Sequence, residues 1–205
     1  MTCIGKEAVC ILLFDMRMAS SYRESMIYPL CYYGNPGLRE KALPVNEFNA
    51  ELEKLGKDMI ATMRDEAGIG LAGPQIGKPL RIFTMEVPSE MDEDENGQPY
   101  NPGLESPLVV VNPELENMGG DDEEMEEGCL SIPDIRGKVL RPFSIRMRYQ
   151  DVKGEAHELE LKGLAARCAQ HENDHLNGVL FIDYLSSVKK MSIRNKLKRI
   201  KNEYA

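Results

Sequence analysis

An α+β domain, with strands packed around a central helix, is the fold that the order of elements in this chain predicts. Three observations carry that expectation. Apolar residues recur in steps of three and four near the start. Short β-branched and alternating stretches fill the middle, and two further helical patterns close the chain.

The elements follow in order. Residues 1–25 make a poor targeting signal, because the apolar stretch at 8–14 is short and flanked closely by Glu7 and Asp15. They read as a disordered extension, or as an upstream start codon chosen in error. Globular pattern begins near Met26. Phe48, Leu52, Leu55, Met59 and Met63 write an amphipathic helix over residues 47–64. The glycine-rich GIGLAGPQIG occupies 68–77, and residues 81–87 and 108–112 are short apolar runs that predict strands. Between them, PSEMDEDENGQPYNPGLESP (88–107) is polar, acidic and dotted with Pro and Gly. It reads as a surface-loop insertion within a single domain of residues 26–205, since pattern resumes on both sides. Residues 144–150 and 158–161 alternate and predict half-exposed strands. A helix is expected over 164–177, ended by Gly178. Residues 186–205 form a last helix, with Val188, Met191, Leu197, Ile200 and Tyr204 roughly on one side.

Charge and composition exclude some classes. The formal net charge of −9 argues against attraction of the whole protein to nucleic acid. No apolar run approaches the roughly 20 residues that span a bilayer. The average hides an asymmetry: Lys189, Lys190, Arg194, Lys196, Lys198, Arg199 and Lys201 face a single acid, Glu203, whereas acids crowd into 92–95 and 121–127 and read as solvated faces. Five cysteines, an odd count without regular spacing, give no disulfide framework and fit a reducing cytosol.

The strongest chemical signal is His171-Glu172-Asn173-Asp174-His175. On a helix, positions four apart lie one turn above each other, so both imidazoles face one way and can hold a divalent cation. Glu172 then stands close enough to handle the proton of a bound water. Such a site needs a third protein ligand and an open position. A metzincin-type protease has a third His six residues past the second, but Phe181 occupies that place. A thermolysin-type enzyme uses a downstream Glu, and the one Glu after His175 is Glu203 in the basic tail. Two thiols compete instead. Cys129 sits in EGCLSIP, where glycine permits close backbone approach and Pro133 opposes a continuing central strand. Cys168 lies on the same helix as the histidines. Cys129 is favoured, because a ligand from a separate segment completes a tetrahedron that one short helix cannot.

Gly68-Ile69-Gly70-Leu71-Ala72-Gly73 matches the dinucleotide fingerprint literally, but it follows a helix rather than a strand and runs into Pro74, so dinucleotide binding is rejected. A loop whose bare backbone lies along an extended peptide, with Gln75 offering an amide donor to a developing oxyanion, suits the segment better.

Taken together, GIGLAGPQIG, EGCLSIP and QHENDH resemble the three motifs of peptide deformylases, in the right order, and the likeness runs from about Met26 to the C-terminus. The resemblance implies an α+β fold with the HExxH helix cradled by sheets. Cys129, His171 and His175 would be metal ligands, and Glu172 the general base and acid. The Gln75 side chain and the Leu130 backbone N–H would form the oxyanion hole. Ile69 and Gly70 would border the substrate channel, and Leu164 and Arg167 would line the methionine pocket. The implied cation is Fe²⁺, with Zn²⁺, Ni²⁺ or Co²⁺ able to substitute. The implied reaction is removal of the formyl group from N-terminal formylmethionine of new polypeptides in the cytoplasm. The basic C-terminal helix is similar to the tail by which some deformylases sit at the ribosome. Gly73 departs from the family's usual alanine. The alternatives are an HExxH zinc endopeptidase, which requires an acidic third ligand, and an inactive deformylase-like metal-binding protein, which predicts a closed site or a missing base.

Overall fold

A computed structural model describes residues 25–204. The leader expected at 1–25 therefore lies outside the described residues, Ser25 excepted. The architecture is α+β. Helix α1 (Ala50–Asp65) precedes strands β1 (Gly70–Ala72), β2 (Ile82–Met85), β3 (Leu108–Asn117), β4 (Asp122–Cys129), β5 (Ile132–Pro142), β6 (Ser144–Gln150) and β7 (Ala156–Lys162). Helices α2 (Gly163–Leu176) and α3 (Ser187–Tyr204) follow.

Helix α1 starts three residues later than the apolar periodicity alone suggests, because Asn49 caps it. The Asn49 side chain accepts from the N–H groups of Glu51 (3.0 Å) and Leu52 (3.1 Å), while Glu51 and Glu53 complement the dipole in the first turn. Its Leu52, Leu55, Met59 and Met63 are buried. Each such side chain contributes roughly 1.5–3 kcal/mol on burial.

Five strands form one antiparallel sheet in the order β1-β2-β3-β6-β7. The period of two divides its residues between two cores. Leu71, Ile82 and Val111 meet α1 on one face. On the other, Ala72, Phe83, Met85, Val110 and Met147 meet Ala165, Ala166 and Ala169 of α2. Three alanines let the helix backbone settle close to the sheet, which is why a histidine-bearing helix can lie in the middle of the molecule.

The hairpin β4–β5 is a separate two-stranded sheet. The acidic run at 121–127, expected as a solvated face, is for the most part strand β4, with outward carboxylates and Glu127 turned inward. Asp and Glu disfavour strands, so propensity hides this element. Pro133 belongs to this outlying hairpin rather than to the central sheet. Inward-facing Ile132, Ile135 and Val139 pack on Leu180, Phe181, Ile182 and Leu185.

The apolar stripe expected on the last helix needs correction. Ile193 and Ile200 are buried, Leu197 packs against them, and Tyr204 stacks on Tyr32 at 4.1 Å. Val188 and Met191 are 79% and 76% exposed, since they lie off the line that steps 193, 197, 200, 204. Among the described residues, no helix is long and apolar enough to cross a membrane.

Candidate metal centre

Helix α2 places His171, Glu172 and His175 over the sheet, and the hairpin brings Cys129 across to them. One ligand atom each from Cys129, His171 and His175 lies within 4.8 Å of the others. The Cys129 Sγ is 3.2 Å from His175 Nε2. A soft thiolate and two imidazoles, from two elements and converging on one point, are a donor set suited to a transition-metal ion. Two buried atoms in this site, His175 Nδ1 and Glu172 Oε2, have no hydrogen-bond partner among the described residues. The residues fit a resident cation with a carboxylate beside it.

The other thiol is placed differently. Cys168 is buried on the sheet-facing side of α2, and its S–H donates to the Ile69 carbonyl at 3.4 Å. Burial, followed by the nearby charges of Glu172, Glu127 and Asp92, pushes its pKa well above the usual thiol range. It is a protonated core thiol, not a member of the ligand group.

Glu127 organises the centre and went unmarked as a functional residue in the sequence. It is 6% exposed. Its Oε2 accepts from His171 Nδ1 at 3.0 Å, which keeps the proton on Nδ1 and leaves Nε2 for a cation. Arg141 Nε donates to Glu127 Oε1 at 2.6 Å, Arg141 Nη2 to Oε2 at 3.0 Å, and Arg167 Nη1 to Oε1 at 2.7 Å. Burial would raise the Glu127 pKa, but bonds from His171 and Arg141 outweigh it and hold the group at about 2. Arg141 also donates to Asp174 Oδ2 at 2.8 Å, one residue before His175. Burial tends to lower His171, but its contacts with Cys129 and Glu127 raise it. Burial and the His171 charge lower His175. Burial pushes Glu172 up to about 7.

The centre opens into a cleft of about 590 Å³. Ile69, Gly70, Gln75, Leu130, Leu164 and Arg167 all border it, so every residue singled out from the sequence for catalysis or substrate contact lies at one site. Gln75 is 1% exposed; its Oε1 accepts from Ala72 N–H at 2.7 Å, which aims Nε2 toward Cys129 Sγ (3.5 Å) and Ser131 Oγ (3.3 Å). Gly70 is dictated by space: a Cβ there would stand 2.4 Å from Glu172 Oε1. Arg167 reaches the cleft wall, but its guanidinium also donates to the carbonyls of Val139 (3.0 Å) and Glu123 (2.6 Å), fastening the hairpin to α2. No pattern in the sequence announces Glu127, Arg141 or Ser131 as partners. Position in EGCLSIP, two residues before the thiol, is the one cue for Glu127.

A family model described as polypeptide deformylase matches residues 27–191. A peptide deformylase of Salinibacter ruber is 47% identical over 178 residues, 86% of this chain and 90% of the relative. That of Mesorhizobium japonicum is 44% identical over 179 residues, covering 87% and 96%. Among solved structures, the peptide deformylase of Thermus thermophilus superposes with a TM-score of 0.75 at 38% identity, over 87% of this chain and 99% of that one. That of Legionella pneumophila gives 0.72 at 38%, over 87% and 97%. The family match over most of the chain, found where a thiol, two imidazoles and a carboxylate meet at one cleft, shows that this chain belongs to the polypeptide deformylase family.

Proposed function

We propose that this centre hydrolyses the formyl amide at the N-terminus of formylmethionyl polypeptides, releasing formate and a free methionine amine. The observation that carries the reading is the convergence of Cys129, His171 and His175 beside an unpartnered carboxylate oxygen of Glu172, at a cleft that Cys129, His171 and Glu172 help to line. A divalent cation held by those three residues would supply a water acidic enough to ionise near neutral pH and a positive charge near the formyl oxygen. Glu172 accepts the proton that the attacking water loses as its oxygen bonds to the formyl carbon. Gln75 Nε2 and the Leu130 N–H donate to the formyl oxygen as it becomes negative. Glu172 then hands its proton to the methionine nitrogen as the C–N bond breaks. Ile69 and Gly70 border the extended substrate backbone, and Leu164 with the stem of Arg167 lines the place of the methionine side chain.

The thiolate-imidazole set suits Fe²⁺, Zn²⁺, Co²⁺ and Ni²⁺. Fe²⁺ is the native cation in this reading, which metal analysis after anaerobic purification checks. An endopeptidase would need an acidic third ligand, and the third donor in reach is the Cys129 thiol. Residues 26–205 act as one catalytic domain in the cytoplasm. The seven cations of α3 are all exposed, which supports docking on ribosomal RNA. Ribosome pelleting should weaken in a Lys196→Glu, Arg199→Glu double variant.

Formate release from formyl-Met peptides by anaerobic, Fe²⁺- or Ni²⁺-loaded protein tests the whole reading. Glu172→Gln should keep the metal and nearly abolish release; wild-type turnover in that variant would remove Glu172 from the chemistry. Gln75→Ala should slow turnover by about 10²–10³ if it behaves as a typical oxyanion donor. Cys129→Ala should lose metal where Cys168→Ala does not.

A further inference from the structure

Helix α2 carries the two histidines and Glu172, yet it lacks a cap of its own. The residue at its N-terminal boundary, Lys162, makes no side-chain capping bond, and the first turn holds no acid. The cap comes from 72 residues upstream, inside the acidic segment 88–107. Asp92 Oδ1 accepts from the N–H of Leu164 at 2.7 Å and of Ala165 at 3.4 Å. Asp92 is 5% exposed, unusual for a carboxylate in so polar a stretch. The loop is held to the helix a second time by Asn101. Its Oδ1 accepts from Lys162 N–H at 3.0 Å, and its Nδ2 donates both to Lys162 O at 2.9 Å and to Asp92 Oδ2. Tyr100 N–H donates to Asp92 O at 2.9 Å, and the Tyr100 ring sits edge-on to Phe143. Gly163 seals the fit: its φ is +59°, and a Cβ there would meet Asp92 Oδ1 at 2.7 Å and Tyr100 Cδ2 at 2.8 Å.

A negative side chain at a helix N-terminus satisfies orphan donors and complements the dipole. Here it does so at the residue that matters for substrate. Leu164, whose N–H takes the shorter bond, borders the cleft, and so does Met91, the neighbour of Asp92. The segment 88–107 is thus no free surface loop. One end of it fixes the first turn of the metal-bearing helix and sets a side chain at the cleft wall.

We infer that Asp92, with Asn101 behind it, is a positioning residue for substrate: it sets Leu164 and Met91 around the methionine side chain by capping α2 from the 88–107 segment. This rests on the deformylase reading. Neither residue touches a metal ligand in this role, and the chemistry at Glu172 lies two turns further along the helix. The effect should therefore fall on substrate affinity rather than on turnover.

The test measures KM and kcat for a formyl-Met peptide in the metal-loaded full chain, with amide hydrogen exchange of Leu164 and Ala165 as a readout besides activity. Asp92→Ala should raise KM and quicken exchange at those two amides by about five- to tenfold, the scale of a lost cap, with kcat and metal content held. Asp92→Asn keeps an acceptor oxygen and should recover most of both. Asn101→Ala should act in the same direction but more weakly, and it reports even if Asp92→Ala fails to fold. Unchanged KM in a folded Asp92→Ala with quickened exchange would reduce the contact to a structural cap and overturn the inference. So would a fall in kcat with KM unmoved. Absence of formate release by the wild-type protein would instead remove the deformylase reading, while the exchange result would still report on the cap.

Discussion

Two sets of arginine–carboxylate pairs in this molecule look alike on paper and differ in setting. In the first, Arg141 Nε meets Glu127 Oε1 at 2.6 Å with side chains 6% and 5% exposed. In the second, on the sheet surface, Arg148 Nε meets Glu158 Oε2 at 2.7 Å with both side chains 51% exposed, and Arg146 adds Glu160 at 2.9 Å. The bonds are of similar length, 2.6 Å inside and 2.7–2.9 Å outside. In water, attraction between charges is screened and the pair is worth about 0–1 kcal/mol. Inside, the attraction is stronger but desolvation offsets much of it, so an intact buried pair is weak evidence of stability while a broken one is costly. The difference teaches what each set is for. The surface ladder lies across the paired strands β6 and β7, Arg146 opposite Glu160 and Arg148 opposite Glu158, with its charges in solvent. The buried cluster orients His171 through Glu127, ties Asp174 beside His175 through Arg141, and clasps the hairpin to α2 through Arg167.

The contrast can be broken or sharpened by substitution. Glu127→Ala removes the carboxylate shared by two buried guanidiniums, leaving Arg141 only Asp174 and Arg167 only carbonyls, so denaturant unfolding of the metal-loaded protein should lose about 3–5 kcal/mol. Metal affinity should drop about 10–100-fold as His171 loses its partner. A loss no larger than a surface pair gives would erase the distinction. Arg141→Met leaves Arg167 on Glu127 and should cost less, about 2 kcal/mol by the same measurement. Between the extremes stands Arg64–Glu86, 2.5 Å apart and 36% and 29% exposed. The Arg64 bond holds the Glu86 carboxyl below its usual 4.5, against a smaller opposing push from burial. A depressed folded pKa means this contribution is complete above pH 4.5 and fades as pH falls through the lower folded value. Glu86→Gln should flatten that part of the acid stability curve, by under about 1 kcal/mol after solvent screening. Arg148→Ala should shift unfolding by no more than about 0.5 kcal/mol, and in about 1 M salt the shift should vanish.

The acid-rich stretches mark the boundary of what pattern reading recovers. Helices α1 and α2 were legible because a 3.6-residue period is written in consecutive residues. Their ends moved by one to three residues for local reasons such as the Asn49 cap. Strands β4 and β5 were not legible: carboxylates on the exposed face of β4 look like any solvated run, and the Pro and Gly of β5 (IPDIRGKVLRP) break the strand signal. For the same reason the segment 88–107 read as loop, while Asp92 within it caps a distant helix. Arg167 read as a pocket residue, and tertiary packing gives its guanidinium to Glu127 and two carbonyls as well.

By itself the sequence determined the chemistry: which residue types are present, that two imidazoles and a carboxylate share one short helix, and that three motifs occur in a family's order. Those are properties of short windows, set by covalent spacing and helix pitch. Tertiary structure decided which thiol joins the histidines, which carboxylate holds the proton of His171, and which acid caps α2. Each of those partners lies more than 40 residues away along the chain. Packing of α2 on the five-stranded sheet, and of the β4–β5 hairpin on residues 180–185, brings them within bonding distance.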